Sequence, residues 1–227
     1  MNLTDGFPAC RRITGEDPAA GDGGRTGIRT TKQEERRIRF MKKVVIFNGS
    51  PRFDGNTATI CNMIERGAKE HNAQVNSYTL FKLKMSACQG CFGCRINDGK
   101  CSLNDELTKA IEQVKEADAV VIGSPIYFMQ INGMVKNLYD RMFPLLGNDG
   151  RPRCGEKQIV TVYTQEMDDP HMHDSYFDFL AGTMFPGFGF VNEKRIVCTN
   201  ANNPQSADDN RELMQQAYNV GREIANA

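Results

Sequence analysis

The sequence predicts a doubly wound α/β domain: a five-stranded parallel sheet in the order 2-1-3-4-5, between two helical layers. Two observations carry this. Short, almost wholly apolar runs alternate with amphipathic segments of helical period, the pattern of strands buried on both faces by crossover helices. The alternation starts at Met41 and runs to the end, a span that suits one such domain, 41–227.

The elements follow in order. KVVIF (43–47) is an apolar, β-branched run and reads as the first strand. Ile60, Met63, Ile64, Gly67 and Ala68 then fall at helical spacing over 56–70. QVNSYTL (74–80) reads as the second strand, and Leu107, Ile111 and Val114 mark a helix ending near Ala117. DAVVIGSP (118–125) is a third strand, expected to break at Gly-Ser-Pro. Met134, Val135, Leu138 and Met142 stripe the next helix, with Lys136, Asp140 and Arg141 assigned to its outer face. QIVTVYT (158–164) and EKRIVCT (193–199) are the fourth and fifth strands. Leu213, Ala217, Val220 and Ile224 line a closing helix, and the Phe- and Gly-rich stretch 175–190 reads as a further, less regular one.

Residues 1–40 differ from this pattern. They are rich in Gly, Asp and Pro, carry eight basic and six acidic residues (8 − 6 = +2), and show no apolar period. They read as a disordered N-terminal extension, the alternative being a basic partner-binding arm. The whole chain of 227 residues balances 28 basic against 28 acidic side chains, which gives no footprint for nucleic acid. It has no apolar run of transmembrane length and no secretory signal, so a cytoplasmic setting with reduced thiols is expected.

In a sheet of this order, ligands sit beyond the carboxyl ends of the strands where strands 1 and 3 diverge. NGSPRFDGNT (48–57) joins the first strand directly to a helix. Its glycines permit tight turns, Ser50, Asn56 and Thr57 offer short polar side chains, and Arg52 offers a charged fork. With the positive end of the following helix, this set suits a phosphate monoester; a plain N-cap would need only one of those side chains. The loop is neither a Walker A motif nor a dinucleotide fingerprint, and it lacks the acidic cluster of a receiver domain.

GSPIYFMQINGMVKNLYDR (123–141) supplies the second loop. Pro125 stiffens the strand exit, and Ile126, Tyr127 and Phe128 place apolar and aromatic groups at a ligand edge. They read as a surface for a flat ring, or else as a subunit contact. One ligand with a phosphate at one end and a planar heterocycle at the other would use both loops.

Cys88, Cys91, Cys94 and Cys101 form a C-x2-C-x2-C-x6-C run after the second strand, on the same edge of the sheet. Four thiolates around Gly90 and Gly93 suit a [4Fe–4S] cluster. Free thiols or a disulfide are the second reading and zinc the third, since zinc knuckles usually lie further apart. Cys61 and Cys198 fall in helix and strand patterns and read as core, and Cys154 carries no assigned role. MDDPHMHD (167–174) holds two histidines and three aspartates and reads as a solvated loop rather than a metal site.

GSPRFDGNT and SPIYF…NGMVKNLYDR resemble the NADPH-dependent FMN reductase branch of the flavodoxin-like superfamily, and the cysteine run between them resembles its iron–sulfur flavoprotein subgroup. The resemblance covers about residues 41–200. It implies FMN as cofactor, with Ser50, Arg52, Asn56 and Thr57 on the phosphate and Pro125, Ile126, Tyr127 and Phe128 along the isoalloxazine. The family's third flavin loop corresponds to Thr164, Gln165 and Glu166, a weaker match. The resemblance also implies NAD(P)H as donor, a small acceptor such as a flavin or quinone, and a homodimer or homotetramer using helix 132–143 and segment 177–190. Two rivals stand beside it. One is an electron-transfer module that exchanges electrons between a cluster and a ferredoxin-like partner; the other is a flavin-free nucleotide-binding protein.

Overall fold

A computed structural model describes residues 41–227; the expectation of a disordered 1–40 lies outside the described residues. Five parallel strands form the sheet: β1 (Lys43–Asn48), β2 (Gln74–Thr79), β3 (Ala119–Tyr127), β5 (Lys157–Thr164) and β6 (Phe190–Cys198). A two-residue strand, β4 (Gln130–Ile131), pairs antiparallel with the end of β3. The order β2-β1-β3-β5-β6 is the expected 2-1-3-4-5 once that short hairpin strand is set aside.

Alternation along the central strands splits the core in two. Val45 and Phe47 of β1 and Val120 and Ile122 of β3 face one layer, while Val44 and Ile46, with Ala119 and Val121, face the other. The first layer is covered by α3 (Glu106–Glu116), α4 (Gly133–Arg141) and the helical segment over 174–188. That segment is α5 (Asp174–Phe179), a π turn (Leu180–Met184) and α6 (Phe185–Phe188). Pro186 supplies no N–H, and Gly189 ends the segment at a positive φ of 80°.

The second layer is covered by α1 (Asn56–Glu70) and α8 (Arg211–Asn226), behind the short α7 (Ser206–Asp209). Here the two long helices meet backbone to backbone. A Cβ on Gly221 would lie 2.1 Å from the Ile64 carbonyl oxygen, and one on Gly67 would lie 2.2 Å from that of Tyr218. No rotamer change can clear a carbonyl, so Gly221→Ala is expected to cost about 1–3 kcal/mol as the helices are forced apart. A urea midpoint equal to wild type would show that the two helices can part without cost.

Caps agree with the sequence where a polar side chain precedes an apolar stripe. Asp105 caps α3 by accepting from Thr108 N, Asn132 caps α4 from Val135 N, and Asn210 caps α8 from Leu213 N. Cys61 and Cys198 are core residues. Burial, reinforced by Glu65, pushes the Cys61 thiol up to about 12, and burial alone takes Cys198 to about 11.

Candidate functional site

The loops that leave β1, β3 and β5 meet at the carboxyl edge of the sheet. Gly49 N donates to Gly123 O at 2.8 Å, and Asn132 Nδ2 donates to Gly49 O at 2.5 Å. A Cβ on Gly49 would stand 2.2 Å from Val135 Cγ2, so only glycine lets the first loop lie against α4. Pro125 lies directly across from Thr164 in the β3/β5 register. The hydroxyls of Thr57 and Thr164 are 2.8 Å apart and buried, which joins the first loop to the third. Ser50, Thr57, Pro125 and Thr164 are therefore brought together.

The first loop is curled by its own side chains. Ser50 N donates to Asn48 Oδ1 (2.9 Å) and Arg52 N donates to Ser50 Oγ (3.1 Å). The helix that follows has Gly55 at its cap position and no side-chain cap. Its first N–H groups thus present a partial positive charge without a side-chain acceptor, the setting in which an anion is stabilised. Arg52 is exposed beside this end, its Cβ 3.0 Å from where a Gly55 Cβ would be. Asn56 differs from expectation. Its Nδ2 donates to Asn203 O and its Oδ1 accepts from Ala207 N, each at 2.8 Å. That side chain holds the 203–207 turn.

In the second loop the expected break at Pro125 does not occur. β3 runs on to Tyr127, turns through Phe128 and Met129, and returns as β4, with Ile126 opposite Ile131 and Tyr127 opposite Gln130. Both turn residues have positive φ, 47° and 74°, as a two-residue I′ loop requires. Ile126 packs on the core rather than standing open, whereas Phe128 is fully exposed at the tip beside half-exposed Tyr127 and Met129. Ser124 Oγ accepts from Asn132 N (3.1 Å) and donates to Pro125 O (2.9 Å), fixing the hairpin base. The sequence reading missed Ser124 and Asn132, although a polar residue before Gly-Met-Val is a legible cap signal.

In the third loop Gln165 is buried; its Nε2 donates to Asp169 O (2.7 Å), while its Oε1 has no partner among the described residues. His171 Nδ1 pairs with Asp174 Oδ2 at 2.8 Å, and that bond, with the Asp174 charge, raises the imidazole pKa. His173 is buried with its ring edge on Phe177. The run 167–174 is thus a tied turn.

The cysteine segment closes on itself. Lys84 N donates to Glu106 Oε2 (2.6 Å), and Ser86 N donates to Asp105 Oδ2 (3.0 Å), so its two ends lie side by side. Within it α2 (Gly93–Ile96) forms one turn, entered through Phe92 at φ 55°. Cys88, Cys91, Cys94 and Cys101 all border one cavity of about 580 Å³, which Phe143, Leu146 and Phe188 also line. No disulfide joins any of the four among the described residues. Among the described residues no three His, Cys, Asp or Glu side chains stand close enough to hold an ion. Burial raises the Cys94 thiol pKa, and Cys101 and Cys88 act on it through their charge, so these three thiols are neighbours.

Arg141, expected on the outer face of α4, is fully buried instead. It makes paired 2.8 Å bonds to Asp105 and donates at 2.6 Å to both Ser86 O and Thr108 Oγ1. Lys136 and Asp140 do lie outside, bridged at 2.6 Å. Helix periodicity cannot show a partner 36 residues away in sequence.

The donor sets suit two groups. An uncapped helix start beside Arg52, an aromatic hairpin tip and the orphaned Gln165 Oε1 fit a ligand with a phosphate, polar substituents and a flat ring. Four thiols around one cavity fit an extended thiolate-bound group.

Residues 42–168, more than half of the chain, match the family model described as NADPH-dependent FMN reductase. Over 103 residues the chain is 33% identical to an iron-sulfur flavoprotein of Methanocaldococcus jannaschii, covering 45% of this chain and 53% of that one. It is 37% identical over 99 residues to an iron-sulfur flavoprotein of Archaeoglobus fulgidus, covering 44% and 48%. The chain spans about half the length of the curated relatives it matches. Among solved structures, an NAD(P)H:quinone oxidoreductase from Methanothermobacter marburgensis aligns with a TM-score of 0.65 at 14% identity, over 82% of this chain and 98% of that one. An FMN-dependent NADH-azoreductase of Bacillus anthracis in complex with FMN aligns with a TM-score of 0.61 at 13% identity, over 82% and 100%. At these identities the structural likeness concerns the flavodoxin-like fold. The family match spans β1 through the turn after β5, with the loops after β1 and β3 and the cysteine run inside it, and the chain belongs to the NADPH-dependent FMN reductase family.

Proposed function

We propose that this chain is an FMN-dependent oxidoreductase that takes electrons from NAD(P)H and passes them to a small acceptor, such as a flavin or a quinone. The observation that carries this is the meeting of three loops, joined through Gly49–Gly123, Thr57–Thr164 and Pro125 opposite Thr164, beside an uncapped helix start. Bound FMN supplies a hydride acceptor at N5 and an electron source for the next molecule. The chain's part is to bind, orient and exclude water. The first-turn amides of α1 and the Arg52 guanidinium hold the phosphate, with the Ser50 and Thr57 hydroxyls beside them. Main chain at 125–127 and Thr164 position the ring, Gln165 Oε1 accepts from a ligand hydroxyl or N–H, and Tyr127 and Phe128 cover the ring edge. No side chain is required as acid or base.

Arg52 and Asn56 separate binding from folding. Arg52→Ala is expected to weaken FMN by about 10- to 100-fold, the loss of a charge-assisted contact, with the urea midpoint unchanged. Asn56→Ala is expected to lower stability by about 1–3 kcal/mol by releasing the 203–207 turn. Titration of FMN fluorescence alongside urea unfolding reads both. Unaltered affinity in Arg52→Ala would remove the phosphate assignment.

A second reading is favoured by the cavity that all four thiols border and by the sequence relatives, which are iron-sulfur flavoproteins. In it Cys88, Cys91, Cys94 and Cys101 hold a [4Fe–4S] cluster that exchanges single electrons between a ferredoxin-like partner and the flavin. Anaerobic iron and sulfide analysis, with stopped-flow mixing with NADPH, distinguishes the readings. Rapid flavin bleaching without iron supports the reductase, and slow bleaching with about four irons supports the module. A homodimer or homotetramer in a cytoplasmic setting completes the proposal; among the described residues no helix is long and apolar enough to cross a membrane.

A further inference from the structure

We infer that Arg141 is the positioning residue of the cysteine site, holding both ends of the cysteine segment with four of its N–H groups and donating the fifth, Nε–H, to sulfur in the thiol-lined cavity. This rests on the cluster reading of the four thiols.

The geometry leaves the guanidinium one free donor. Nη1 bonds Ser86 O, just before Cys88, and both terminal nitrogens bond Asp105, just after Cys101. Nη2 also bonds Thr108 Oγ1. Among the described residues no nitrogen or oxygen pairs with buried Nε, although Arg141 borders the same cavity as the thiols and its side chain is 0% exposed. An unpaired N–H in so apolar a space is costly unless the occupant accepts from it. The cavity offers the four cysteine sulfurs as acceptors, and Cys101 lies close enough to act on Arg141, adding to the Asp105 bonds that offset burial of the charge. Only a planar fork can serve four oxygen acceptors and still aim a further N–H elsewhere, so lysine is no substitute.

A hydrogen bond to a thiolate or cluster sulfur favours the reduced, more negative state, as does a nearby positive charge. Asp105 compensates that charge, so the two residues should act in opposite senses. The test is anaerobic reconstitution of the full chain with ferrous iron and sulfide, followed by iron counting and a redox titration read by visible absorbance. Arg141→Lys is expected to keep iron but lower the potential, changing the oxidised-to-reduced ratio at fixed poise about tenfold. Asp105→Asn retains the Arg141 donor and should raise the potential. Opposed shifts support the inference, because a purely structural role would move both variants the same way or neither. Should Arg141→Lys lose its iron, an Asp105→Asn potential that does not rise overturns the inference. Unmoved or parallel potentials with iron bound overturn the inference and leave the cluster reading standing. A wild-type chain that takes up no iron overturns both.

Discussion

Asp105→Ala is expected to lower stability by about 3 kcal/mol, at the lower end of what removing one partner of a buried ion pair costs. The carboxylate has three tasks at one point. It caps α3 through Thr108 N at 2.9 Å, accepts from Ser86 N at 3.0 Å, and takes both 2.8 Å bonds from Arg141. Without it a guanidinium at 0% exposure stays buried and unpaired, whereas Asp105 itself is 17% exposed and would tolerate the reverse change better. The Arg141 bonds, aided by the amides of Ser86 and Thr108, hold the Asp105 carboxyl well below the usual range despite partial burial. A carboxyl depressed on folding stabilises above its unfolded pKa, and that contribution drains away as pH falls toward the folded value. Wild type should therefore lose stability below about pH 4 with a component of up to about 1.4 kcal/mol per pH unit. Asp105→Asn, which keeps the cap, should lack that component. Urea midpoints between neutral and acid pH measure it; equal acid slopes in the two proteins would show that this pair does not govern the segment.

The same pair marks where sequence reasoning stops. β1, α1 and α8 were legible because each buries a stripe of its own residues, and a stripe is a local pattern. The three-layer order followed, since apolar strands alternating with such helices have few ways to pack. Ser50, Thr57 and Thr164 were legible as loop residues at the right strand ends. What stayed hidden depends on residues distant in the chain. Arg141 reads as solvated until Ser86 and Asp105 are placed beside it. Asn56 reads as a ligand donor until the 203–207 turn takes both ends of its amide. Pro125 reads as a strand end, because proline removes a ladder donor; yet the β3/β5 register continues through it to Thr164, and β4 then pairs the residues beyond.

The hairpin at Phe128–Met129 leads to the other large expected effect. A two-residue loop with both φ positive is the natural place for Asn-Gly, and a left-handed conformation costs an ordinary side chain about 1–2 kcal/mol. Here a phenylalanine and a methionine occupy it, with φ of 47° and 74°, and the Phe128 ring is fully exposed. Replacing the pair by Asn-Gly should therefore stabilise the fold by about 1–3 kcal/mol. Such strain persists where it serves a site, so the gain should come with weaker FMN binding, by about fivefold if the ring contact is worth about 1 kcal/mol. Met129→Gly alone separates the two effects, since it relieves one strained residue and leaves the aromatic tip in place. It should raise the urea midpoint and keep wild-type affinity. If the double variant were no more stable, the turn would not be strained. If it were more stable and bound FMN as tightly, Phe128 would drop out of the ring site, leaving Tyr127 and the main chain at 125–127 to form it.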